Sequence, residues 1–142
     1  MTRTKKIGMT ARSGRVAMIG ALGLASVALA AGPAFAKGDV TITAPPTAQV
    51  GKTFAVTAHG DDDASSYLQV CLENRSGGQV WHRLSCGAVV ERGDEAQVTA
   101  HVKAAHTGAQ QYRAVVYGLL ISPTDGHPVR QRASGPTTVN VR

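Results

Sequence analysis

From Asp39 onward, apolar and polar side chains alternate with a period of two, and the alternating runs are separated by turn-forming residues. A period of two places successive side chains on opposite faces of an extended chain, so each run predicts a half-buried strand. Seven runs stand out. Asp39–Thr43 puts Val40 and Ile42 on one face before Ala44-Pro45-Pro46 stops it. Thr53–Ala58 buries Phe54, Val56 and Ala58. Tyr67–Glu73 buries Leu68, Val70 and Leu72, leaving Gln69 and Cys71 on the other face. Asn74-Arg75-Ser76-Gly77-Gly78 is a hairpin turn, and Val80–Leu84 returns from it. In the returning run Trp81 and Leu84 have opposite parity, which a β-bulge would reconcile. Ala96–Lys103 alternates cleanly, Gln111–Tyr117 is the most apolar run and reads as the central strand, and Thr137–Val141 closes the chain.

No segment keeps a helical period over three turns. Short strands separated by turns at this spacing predict an all-β sandwich or barrel. The antiparallel sandwich is favoured because the last run can pair beside the preceding one through a hairpin.

The first 36 residues follow a different pattern. Arg3, Lys5, Lys6, Arg12 and Arg15 form a basic head, Val16–Ala36 carries no charge, and the segment ends Ala34-Phe35-Ala36. A basic head, an apolar run and an A-x-A end predict a cleavable signal peptide over 1–36 and a mature domain over 37–142. The competing reading is a membrane anchor, since the uncharged run is about long enough to span a bilayer. Gly20, Gly23, Gly32 and Pro33 weaken it as an anchor, whereas the cleavage pattern is complete. With no Arg-Arg pair, no cysteine at the end of the apolar run to carry a lipid and no second apolar span, the expected product is freely secreted.

This division changes the charge picture. The chain has 15 Lys+Arg and 9 Asp+Glu. The first 36 residues hold five of the basic residues and no acid, leaving 10 against 9 in the domain. A near-neutral domain argues against a nucleic-acid binder. Secretion also changes the reading of Cys71 and Cys86. In an oxidising compartment they are the only pair available, with 14 residues between them, and a disulfide is expected. It would fasten neighbouring strands of one hairpin.

Several stretches then resemble a known family. They are Leu68-Gln69, Ser76–Trp81, Leu84, Thr107–Val116 and Ala133–Arg142. Together they resemble secreted bacterial immunoglobulin-like domains over nearly all of the mature chain. The resemblance implies an immunoglobulin-like sandwich with Trp81 as a core residue and Tyr112 in the place of the tyrosine corner. It also implies a binding or adhesion module, usually one of several in a larger protein. The cysteine pair and the long segment before the last strand depart from the common pattern.

Residues that carry chemistry elsewhere form no catalytic pattern here. His59, His82, His101, His106 and His127 show neither H-x-H nor H-E-x-x-H spacing, and two cysteines cannot make a four-cysteine zinc site. Asp61-Asp62-Asp63 could offer oxygens to calcium, but no D-x-D-x-D-G pattern surrounds it, so a solvated acidic turn is expected. There is no G-x-S-x-G elbow and no phosphate-binding glycine loop. Asn74-Arg75-Ser76 matches the N-x-S acceptor by chance. The expectation is a protein without enzyme activity, cofactor or metal.

The remaining candidate is Gly118–Ser134. Leu119-Leu120-Ile121 prolongs the Tyr112 strand, Pro123-Thr124-Asp125-Gly126 turns it, and Pro128–Arg132 returns. An apolar arm with Leu119 and Ile121, facing Arg130 and Arg132, makes a partner-binding hairpin; the alternative is an edge hairpin whose Leu and Ile pack on the sheet. The functional expectation is non-catalytic recognition of an extracellular protein or cell-surface polymer. Two rivals are a small-ligand carrier resembling the apoproteins of enediyne antibiotics, and a loop-type protease inhibitor presenting Arg130. A carrier would show an apolar pocket of several hundred cubic ångströms.

Overall fold

Alternation that buries one face of each strand requires a second layer to cover that face, and the computed structural model shows two stacked sheets. It describes residues 38–124 and 126–142. The expected signal peptide, Lys37 and Asp125 of the hairpin turn lie outside the described residues. Among the described residues there are ten strands and no helix. One sheet is antiparallel, in the order β1 (Val40–Thr43), β3 (Thr53–Gly60), β7 (Ala96–Lys103). The other has the order β2 (Thr47–Ala48), β10 (Thr137–Val141), β8 (Gly108–Leu119), β4 (Tyr67–Ser76), β5 (His82–Cys86). Two short strands share edges in this sheet. β6 (Val90–Glu91) pairs with β4, and β9 (Val129–Ala133) pairs with β8.

In chain order the path alternates between the sheets through β1, β2 and β3, stays in the second through β4, β5 and β6, returns to the first at β7, and finishes in the second with β8, β9 and β10. That crossing pattern is the one immunoglobulin-like sandwiches share. All seven runs marked by alternation are strands. Strands β2 and β6 have only two residues each, too short for any period to show. β2 pairs parallel with β10, Asn140 opposite Thr47.

The core takes in most of the residues that parity marked in β3, β4 and β7, with Phe54 and Val102 only partly buried, and adds residues of β8 and β10. Val56 and Ala58, Leu68, Val70 and Leu72, Ala96, Val98 and Ala100, Tyr112, Ala114 and Val116, and Val139 form one buried cluster between the sheets. Each fully buried Val or Leu stabilises the fold by about 1.5–3 kcal/mol. Phe54 packs at the margin, its ring 5.9 Å from that of Tyr112 and edge-on to it.

The β4–β5 connection follows its glycines. Gly77 and Gly78 have φ of 55° and 77°, and the Gln79 amide donates to the Ser76 carbonyl at 3.1 Å. Two consecutive positive φ values make the tight turn whose twist suits a hairpin. The anticipated bulge is present. Leu72 pairs with Ser85 and Glu73 with Arg83, which leaves Leu84 as the extra residue. β5 starts two residues later than expected and runs through Cys86, directly opposite Cys71. The two cysteines are bonded, so the bridge joins adjacent strands of one hairpin.

Candidate binding surface

The β8–β9 hairpin does not follow the sequence expectation throughout. β8 ends at Leu119, whose side chain is only 4% exposed and whose register partner is Tyr67 on β4. Leu119 is therefore a supporting residue of the sheet, not a contact residue. Leu120 and Ile121 have left the strand and are 56% and 86% exposed, and Val129, where β9 begins, is 49% exposed. Three apolar side chains thus stand in solvent at one end of the hairpin. The hairpin is anchored below them by Gly118. A Cβ built there would lie 1.9 Å from the Ser65 hydroxyl oxygen, so only glycine lets the buried Ser65 pass.

The two arginines diverge. Val116 pairs with Arg132 and Tyr117 with Arg130, so Gln131 is an extra residue in β9. Residues two apart in a regular strand share a face, but a bulge between them breaks that rule. Arg130 joins Tyr117 on the outer face of the sheet and is exposed. Arg132 is half-buried, its guanidinium against Gly38, where an added Cβ would sit 2.8 Å from Nη2. Arg130 also lies within a paired strand and is not the apex of a free loop, so it lacks the exposed loop that an inhibitor presents.

The outer face carries a second group that parity alone did not suggest. Odd-numbered residues of β4 and β8 point away from the core, with Cys71 paired to Val115 and Glu73 to Arg113. Cys71 and Val115 are nonetheless buried. Beside them the Glu73 carboxylate, also buried, accepts from Arg113 through Nη2 at 2.6 Å and Nε at 2.7 Å, and from the Tyr117 hydroxyl at 3.4 Å. Trp81 is placed here and not in the core, correcting the resemblance. The Cζ atoms of Arg75 and Arg113 each lie 4.4 Å from its ring, and that of Arg83 lies 5.0 Å from the Tyr117 ring. Such cation–π contacts contribute about 0.5–1 kcal/mol each at partly exposed sites. Gln111 accepts from Arg75 Nε at 2.7 Å.

The acidic loop is not a uniformly solvated turn. Asp61 accepts from the Asp39 amide, Asp62 is buried and accepts from the Ala64 amide at 3.1 Å, and Asp63 is exposed. Asp61 and Asp62 thus engage different backbone amides, and among the described residues no three His, Cys, Asp or Glu side chains are arranged to hold a metal ion. A depression of about 440 Å³ lies beside β2. Its walls mix Pro45, Ala48 and Phe54 with Thr47, Lys52 and Arg142, so the apolar lining expected of a carrier is lacking.

No protein-family model matches the chain, and no curated protein matches its sequence. Among solved structures it is similar to the CARDB domain of a Pyrococcus furiosus protein in complex with di-metal ions. The identity is 14%, the TM-score 0.49, and the match covers 77% of this chain and 90% of that one. The metal ions belong to that protein, and a likeness this distant bears on no ligand of this one.

Proposed function

We propose that this chain is an exported, non-catalytic binding module that recognises an extracellular protein or cell-surface polymer through the tip of the β8–β9 hairpin. The observation that carries this reading is the grouped exposure of Leu120, Ile121 and Val129 at the end of a hairpin whose base is locked by Gly118 and Ser65. Exposed large apolar side chains are a cost in water that a binding surface explains. The rigid sheet beneath them means little ordering is needed on association. Export is supported by the basic head, apolar run and A-x-A end of residues 1–36, and by the Cys71–Cys86 bridge, which persists in oxidising compartments.

The test is capture from the culture medium and cell-wall fraction of the producing cell, using the purified protein and its Leu120→Ser/Ile121→Ser variant as baits. A partner held by the first and released by the second is the expected result. Equal capture by both sinks the hairpin site. The mass of the secreted protein should begin at Lys37 and fall two hydrogens short of the reduced chain; a mass including residues 1–36 overturns the export reading.

A further inference from the structure

We propose a second binding surface, on the outer face of the larger sheet, for an extended polyanion carrying a phosphate on each repeat. It stands apart from the hairpin tip and rests on a different observation. Although the domain is nearly neutral overall, four of its arginines gather on one face. Arg75, Arg83, Arg113 and Arg130 all belong to the outer face of β4, β5, β8 and β9. Asp39, Asp61 and Glu95 line a depression at the far end of the other sheet. On the arginine face, Glu73 is buried beneath Arg113, and Glu91 sits at the far end opposite Tyr67.

Three of the four guanidiniums are held in place. Arg75 is fixed by Gln111 and Trp81, Arg113 by Glu73 and Trp81, and Arg83 lies over Tyr117. Side chains already ordered lose less freedom when they engage a ligand, and the planar guanidinium matches phosphate geometry. Strands lie about 4.8 Å apart, so from β5 to β9 the face is about 14 Å wide. A single phosphate reaches only one part of it, whereas an extended chain of phosphates spans it. Trp81 is already engaged by two arginines, so recognition rests on charge rather than on stacked bases, which separates this surface from single-stranded nucleic-acid platforms.

The chain has one tryptophan, Trp81, and it lies on this face, so its fluorescence reports occupancy there. The probe is long-chain inorganic polyphosphate, titrated into the purified protein at 50 mM and 200 mM salt. Saturable Trp81 fluorescence change is expected, weakening as salt rises with a log–log slope of about −2 to −3. Arg83→Ala/Arg130→Ala should lose at least tenfold in affinity. Lys52→Ala/Lys103→Ala, which removes the same charge elsewhere, should lose less than twofold, and Leu120→Ser/Ile121→Ser should bind as the parent does. Circular dichroism confirms that each variant is folded.

Any of four results overturns the proposal: no binding at 50 mM salt, no loss in the arginine variant, equal loss in the lysine variant, or equal competition by orthophosphate at matched phosphate concentration. Tighter binding of single-stranded RNA of equal charge would overturn the choice of ligand. Since the hairpin variant is read separately, failure here leaves the hairpin reading standing, and the reverse.

Discussion

Arg130 and Arg132 lie two residues apart on one strand, yet they face opposite sides of the sheet, because Gln131 is bulged between them. One guanidinium is offered to solvent beside Tyr117, and the other is folded over Gly38. The basic pair that the sequence suggests as one feature is therefore two.

Their variants should separate accordingly. Arg130→Ala weakens polyphosphate binding while stability stays within about 0.5 kcal/mol of the parent. Arg132→Ala leaves the binding isotherm unchanged. Titration followed by Trp81 fluorescence distinguishes them, and equal effects would contradict the bulged geometry.

Leu119 and Ile121 should also respond oppositely. Leu119→Ala opens a void beneath the hairpin and should cost about 2 kcal/mol. Ile121→Ser, at an 86% exposed site, should change stability by less than about 0.5 kcal/mol. Chemical denaturation of the two variants is the measurement.

Gly118→Ala places a methyl group onto Ser65, and Ser65 is fully enclosed and cannot step aside. A loss of about 2 kcal/mol or more is expected, as for other overpacked sites. Adding Ser65→Gly removes the nearest obstructing atoms and leaves the Gln131 side-chain amide at 2.7 Å, so the double variant should recover part of that loss. A double-mutant cycle by thermal melting would show it; purely additive losses would place the cost elsewhere.

The Cys71–Cys86 bridge closes a short loop, and its removal by Cys71→Ser/Cys86→Ser should cost about 3 kcal/mol through the freedom regained by the unfolded chain. With Cys71 only 1% exposed, reductant should act on the native protein slowly and faster in denaturant. Free-thiol counting over time tests both.

Burial raises the Tyr112 hydroxyl above its ordinary pKa of 10.0. The unfolded chain then loses this proton first as pH rises. The stability from keeping Tyr112 neutral is complete below the unfolded value near 10 and is lost as pH climbs toward the folded value. Stability should fall with pH above about 10, and Tyr112→Phe should flatten that fall. Melting curves between neutral and strongly alkaline pH decide it.

How much was legible in the chain depended on the range of the interaction. Alternation in Thr53–Ala58, Tyr67–Glu73 and Ala96–Lys103 marks which side chains meet the core, because strand geometry alone sends alternate residues to opposite faces. The glycine pair at 77–78 marks the turn for an equally local reason. Trp81 was placed wrongly by resemblance. Its own strand begins only after it, and its position answers to Arg75 and Arg113 on two other strands.

By itself, then, the sequence determined the all-β class, the seven main strands, the inward residues of four of them and the one possible disulfide. Each of these follows from local backbone geometry or from composition. Tertiary structure alone decided that Leu119 is enclosed while Ile121 is not, that Arg130 and Arg132 part company, and that four arginines from different strands gather on one face. These depend on register and bulges between strands distant in sequence. A one-residue shift in pairing turns a side chain from one face of a sheet to the other, and in β9, unlike β5, no local pattern records it.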